Sequence, residues 1–232
     1  MLIYDISGII QDKMWNYGTP FPEFHIQSIG NVAWTANKVY CEEFDGMHSQ
    51  TGTYLETPAH FYGYENSYLI NDVPLEKLVN IDCNIIMLDE NDYSINCDKK
   101  VITTNSLIKC MTNHTIKEGN AIIVGTGWGK YWMNKDYLYR SPYFSIDAIE
   151  WLISKKPIIM GTDFPRWENI DNPEGLFPLF YKNNILMLAP CINIENVIGN
   201  LLKLTVLPLR IQGTCCTPCR AILIDDGCGK YD

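Results

Sequence analysis

Gln50-Thr51-Gly52-Thr53-Tyr54-Leu55-Glu56-Thr57-Pro58-Ala59-His60-Phe61 is the stretch on which the reading of this chain turns. It is dense in small, polar and turn-forming residues, so its backbone can approach a ligand closely. It also sets a carboxylate, Glu56, four residues ahead of an imidazole, His60. Residue types alone leave two readings open: a surface loop with one solvated carboxylate and one histidine, or a segment built against a small molecule.

Outward from this stretch, short apolar and β-branched runs recur at residues 25–29, 32–40, 83–88, 121–125, 157–161, 185–189, 204–212 and 220–224. Each is of strand length and bounded by Gly, Pro, Asn or Asp. Helical patterns are fewer. The clearest spans 145–155, where Ser145 stands as N-cap before Ile146, Ile149, Leu152 and Ile153 on one face, with lysines in the last turn. Weaker helical patterns cover 104–111 and 194–202. With no internal repeat, low-complexity tract or linker, the expectation is an α/β fold in which residues 1–232 form one β-rich domain.

The 232 residues are 47% hydrophobic and 12% aromatic, with 18 basic against 27 acidic side chains and a formal net charge of -9. Only 19% are charged, below the roughly 25% of ordinary soluble proteins, which excludes intrinsic disorder and provides for a sizeable core. The acidic balance argues against a nucleic-acid partner, because phosphate binding needs clustered Lys and Arg. No apolar run reaches the roughly 18 residues of a membrane-spanning helix, and residues 1–12 lack a basic leader and cleavage site. The nine cysteines are an odd number and mostly scattered, so they read as reduced thiols in a cytoplasmic protein.

The opening stretch resembles the signature of the cyclase family of bacterial hydrolases, which includes kynurenine formamidases (arylformamidases) and isatin hydrolases: His-x-Gly-Thr-His-x-Asp-x-Pro-x-His-Phe. Gly52, Thr53, Pro58, His60 and Phe61 match, and Glu56 replaces the aspartate. Further on, Gly125-Thr126-Gly127-Trp128 with Tyr131-Trp132, then Phe144-Ser145 leading into Trp151-Leu152, is similar to the family's threonine-glycine-tryptophan strand and following helix. Gly161-Thr162-Asp163, the pair Glu195-Asn196 and the closing segment from Gly213 to Arg220 follow in the family's order. The resemblance implies the swivelling β/β/α fold, a small-molecule substrate and assembly as a homodimer or homotetramer.

Several positions depart from the family. There, two histidines and the aspartate of the motif bind a divalent metal, usually zinc or manganese, and a later His and Glu complete a second site in two-metal members. By the resemblance, Gln50 and Tyr54 stand at the two histidines, Glu56 at the aspartate, Phe177 near the later histidine and Glu195 at the later glutamate. A neutral amide and a phenol are poor zinc ligands, so the expectation is no metal cofactor. A shifted zinc or manganese site using His48, Glu56 and His60 is the alternative, since His48 lies two residues before Gln50.

Without metal-activated water, hydrolysis loses its usual nucleophile. What remains is His60 as base or proton shuttle, Glu56 orienting it and Tyr54 as phenolic donor, with Gln50, Trp15, Trp128 and Glu195 expected to bind substrate. The early aromatics Trp15, Tyr17, Phe21 and Phe24 are similar to the family's loop that walls the pocket. Three readings follow: a metal-free acid–base catalyst acting on a small cyclic or aromatic carbonyl compound, a hydrolase with the shifted metal site, or a pseudoenzyme that binds a small molecule or a partner. The group Cys215-Cys216-Thr217-Pro218-Cys219 lacks a second cysteine pair and reads as chance substitution in the closing turn, with Arg220 beside it serving structure.

Overall fold

The computed structural model describes residues 1–30, 32, 34, 36–96, 99–111 and 115–227. In chain order the strands are β1 (Leu2–Asp5), β2 (His25–Ile29), β3 (Cys41–Asp45), β4 (Tyr54–Glu56), β5 (Ile81–Met87), β6 (Ser94–Asn96), β7 (Lys99–Ile102), β8 (Ala121–Gly125), β9 (Tyr143–Phe144), β10 (Ile159–Thr162), β11 (Leu186–Ala189), β12 (Leu201–Pro208) and β13 (Cys216–Asp225). The helices are α1 (Ala59–Tyr62), α2 (Thr104–Cys110), α3 (Ile146–Ser154) and α4 (Leu176–Tyr181).

The main sheet runs β1-β13-β12-β5-β8-β10-β11-β4, and β4 pairs again with β13. Strands β13 to β4 therefore close into a barrel, and β1 continues along the free part of β13. Strands β5, β8, β10 and β11 are mutually parallel, so helices must return the chain outside the barrel. Such strands are buried on both faces and read as unbroken apolar runs. In Ala121–Gly125, Ala121 and Ile123 pack inside with Leu55, Leu188 and Val206, while Ile122 and Val124 pack outside with Leu107, Ile149 and Phe180. The outer hydrophobic layer holds the helices, and the site described below sits at its edge. Separate from the barrel, β2 and β3 form a two-stranded hairpin.

The helix expected at 145–155 is α3. Ser145 has the extended cap backbone, but its hydroxyl donates to the Ile102 carbonyl at 3.0 Å instead of capping the helix. Thr103 caps α2, accepting from the Ser106 amide at 3.2 Å. Two expectations are corrected. Among the described residues of 32–40 there is no strand; the partner of β2 is β3, which pairs His25 with Asp45 and Ile29 with Cys41, so the preceding residues serve as connection. The helix expected at 194–202 is one short turn, Ile194–Asn196, followed by Gly199 at φ +93° and then β12, because Leu201 to Leu204 are needed to pair with β5. Among the described residues no helix is long and apolar enough to cross a membrane.

Candidate functional site

At the centre of the motif lies a strand, β4, and it is the strand that closes the barrel. Gly52 precedes it at φ +74°, where a side chain would be strained and would press on Ile10 Cγ1 at 2.7 Å. Thr53 fixes the entry: its hydroxyl donates to the Pro190 carbonyl at 2.6 Å and accepts from the Gly8 amide at 2.8 Å. The Thr57 amide donates to the Cys215 carbonyl at 2.9 Å at the exit. Alternation along the strand then sends Leu55 into the barrel and turns Tyr54 and Glu56 outward. Pro58 starts the short helix α1, which brings His60 back over Glu56.

His60 Nε2 lies 3.2 Å from Glu56 Oε2. The Glu56 side chain is only 2% exposed and also receives hydrogen bonds from Gln50 and, at 3.5 Å, from the Tyr181 hydroxyl. Burial outweighs those bonds and pushes the Glu56 carboxyl up to about 8. Burial pushes His60 the other way, below the ordinary imidazole value. Both shifts favour the uncharged forms of the pair. His60 Nδ1 faces the Cys215 thiol at 3.7 Å. Tyr54 and Tyr17 share a 2.7 Å hydrogen bond between their hydroxyls, and burial holds the Tyr54 phenol well above its ordinary value, hence neutral.

These groups open onto a cavity of about 560 Å³, within the range of small-molecule sites. Tyr17, Phe21, Trp167 and Phe177 wall it; Gln50, Tyr54, Glu56, His60 and Arg166 supply polar groups.

Tyr54, Glu56, His60 and Gln50 all line this cavity, while Trp15, Trp128 and Glu195 do not. Trp15 stands behind the wall, edge-on to Tyr17 and Trp132, because it completes a separate aromatic core with Met14 and Tyr137. Trp128 is turned by left-handed Gly127 onto a different hollow with Tyr131 and Arg140, and its indole N–H donates to the Tyr137 carbonyl at 3.0 Å. Glu195 is exposed on the turn before β12 and does not line the cavity; its charge instead adds to the burial that raises Asp163 to about 6. Arg166, Trp167 and Tyr181 escaped the sequence reading. The only available signal was that they flank Gly161-Thr162-Asp163 and Phe177.

A family model for the cyclases matches residues 4–169. The chain belongs to the cyclase family. Among solved structures, an isatin hydrolase bound to the product analogue thioisatinate is similar at 18% identity, with 95% of this chain and 91% of that one covered and a TM-score of 0.79. Isatin hydrolase A from Labrenzia aggregata, bound to benzyl benzoate, gives 18% identity, 96% and 93% coverage and a TM-score of 0.76. A protein described as a predicted metal-dependent hydrolase from Bacillus stearothermophilus gives 19%, 96% and 97%, and 0.72. These likenesses establish the cyclase-like fold. No curated protein matches by sequence.

The metal implied by the cyclase family does not fit the residues present. Tyr54 is a phenol bonded to Tyr17, Gln50 is a neutral amide bonded to Glu56, and Phe177 has no donor, so Glu56 is the one ordinary ligand left among these positions. The shifted site is not formed either. His48 Nδ1 accepts from the Gln50 amide at 3.2 Å, its ring lies against Phe21, and it does not line the cavity. Among the described residues no three His, Cys, Asp or Glu side chains are grouped to hold a metal ion. The described cysteines are free thiols, with Cys216 packed beside Glu56 across the β4–β13 pairing and donating to the Ser49 carbonyl at 3.2 Å; Cys97 and Cys228 lie outside the described residues. Arg220 pairs with Asp5, a structural contact.

Proposed function

We propose that this cyclase-family chain is an enzyme that moves protons on a small cyclic or aromatic carbonyl compound without a metal, using Glu56 and His60. The observation that carries the reading is the 3.2 Å Glu56–His60 contact at the edge of an aromatic cavity, with the carboxyl raised to about 8 and the imidazole lowered. A carboxyl and an imidazole in direct contact can pass a proton between them without an intervening water. The pair takes up a substrate proton as imidazolium and carboxyl, and returns it as the carbonyl oxygen or the adjacent carbon becomes basic. Tyr54 supplies a neutral phenolic hydrogen bond to charge developing on the substrate oxygen when its hydroxyl turns from Tyr17 to the substrate.

The test is a panel of small aromatic and cyclic carbonyl compounds that includes isatin and N-aryl formamides. On any compound turned over, His60→Ala should lower kcat by about a hundredfold to ten-thousandfold and Tyr54→Phe by less, with chelator leaving the wild type unaffected. Equal turnover by wild type and His60→Ala defeats the proposal.

A second reading, a binding protein without turnover, is favoured by the internal pairing of the polar groups: Tyr54 with Tyr17, and both nitrogens of His60. It expects ligand affinity and no turnover from any variant. A reducing, cytoplasmic setting suits the free thiols. A homodimer or homotetramer is the assembly we expect, to be read as a mass by light scattering.

A further inference from the structure

Arg166 stands in the cavity wall immediately after Pro165, whose carbonyl accepts from the Tyr17 hydroxyl at 3.3 Å. Its guanidinium lies over the Tyr17 ring, 5.1 Å from the centroid, which limits its freedom. Its Nε is buried and has no hydrogen-bond partner. Among the described residues, no carboxylate comes within 4 Å of it as an ion pair. A guanidinium does not escape this by losing a proton, because it stays charged at any physiological pH.

The acids that share the wall leave that charge standing. Glu56 is engaged with His60 at 3.2 Å and accepts from the Tyr181 hydroxyl. Glu168 is turned to the start of α4, where its Oε1 accepts from the Leu176 amide at 2.6 Å. Among the described residues Arg166 is the one Lys or Arg in the lining, which it shares with the aromatic side chains of Tyr17, Phe21 and Phe177. The chain as a whole carries -9, so long-range attraction does not gather anions at this cavity; selection for one must be local.

We infer that the cavity takes a planar aromatic ligand bearing a carboxylate, which Arg166 pairs while the ring lies among Tyr17, Phe21 and Phe177. A carboxylate supplies the acceptors that no neighbouring side chain provides, and its two oxygens match the guanidinium fork. This deepens the proposed function, since it names the class of compound presented to Glu56 and His60, and it rests on that reading only in taking this cavity as the site.

The experiment is calorimetric titration of the purified full-length protein with matched acid and amide probes, 2-naphthoate against 2-naphthamide and benzoate against benzamide. The wild type should bind each acid about ten- to a hundredfold more tightly than its amide. Arg166→Gln should abolish that preference, with the larger loss falling on the acids, and Arg166→Lys should keep part of it, because charge remains while the fork is lost. Equal binding of acid and amide by the wild type overturns the inference whatever the variants do. So does the absence of binding for all four probes, or an equal loss of both probes in an Arg166→Gln protein of unchanged melting temperature. His60→Ala should retain the acid preference; failure of the catalytic reading thus shows as absent turnover with the preference intact, and failure of this inference shows as a lost preference in a competent enzyme.

Discussion

Glu56 links protonation to stability as well as to chemistry. Its folded-state value of about 8 exceeds the ordinary 4.5, so the folded protein holds a proton that the unfolded chain gives up first. Stability from this group is complete below about pH 4.5 and is lost as pH rises through about 8. His60 is shifted downward, and its folded form favours the neutral ring, so its contribution is lost as pH falls below the ordinary 6.5. Glu56→Gln should therefore flatten the fall in melting temperature between about pH 4.5 and 8 without removing the weakening at acid pH; parallel curves for variant and wild type would show that Glu56 is ionised in the fold. At this scale the sequence was legible where chemistry and spacing coincided, as in Gln50, Tyr54, Glu56 and His60. It was less legible for Trp128, which the resemblance set near the site and which the fold turns onto another hollow, and it was silent on Arg166, whose neighbours are not near it in the chain.

Among the elements, β4 carries the most on the fewest residues. Leu55 is fully buried in the barrel interior, while Tyr54 and Glu56 on the opposite face build the cavity. Leu55→Ala should cost about 2–5 kcal/mol, measured by urea unfolding, because the closed barrel cannot collapse onto the space left behind. A loss under about 1 kcal/mol would mean that β4 is not packed as described. The parallel strands were readable from their unbroken apolar runs. β4 was not, because three residues flanked by Thr, Gly and Pro carry no periodicity, and its strand identity comes from Met187 and Cys216 on either side of Glu56. α4 was hidden for a similar reason, since it opens on Gly175 and contains Pro178. The false helix at 194–202 had the apolar spacing of a helix, yet the barrel's demand for β12 overrode it.

For the molecule as a whole, the substituted ligand set makes a global prediction: protein purified without chelator should contain well under one zinc or manganese per chain by elemental analysis. About one metal per chain, retained through dialysis against a weak chelator, would contradict the account of Gln50, Tyr54 and Glu56. The architecture also governs when this chain becomes competent. Strand β4 lies early in the sequence, but both of its neighbours lie late, and the second, β13, is the last strand of the barrel. A chain still emerging from the ribosome, or one cut before Cys216, contains Glu56 and His60 but has only one edge on which to seat the strand that aims them. Nascent and truncated copies should therefore be chemically silent, and recovery of activity on refolding should trail the recovery of helical signal, with closure of the barrel as the event that switches the site on.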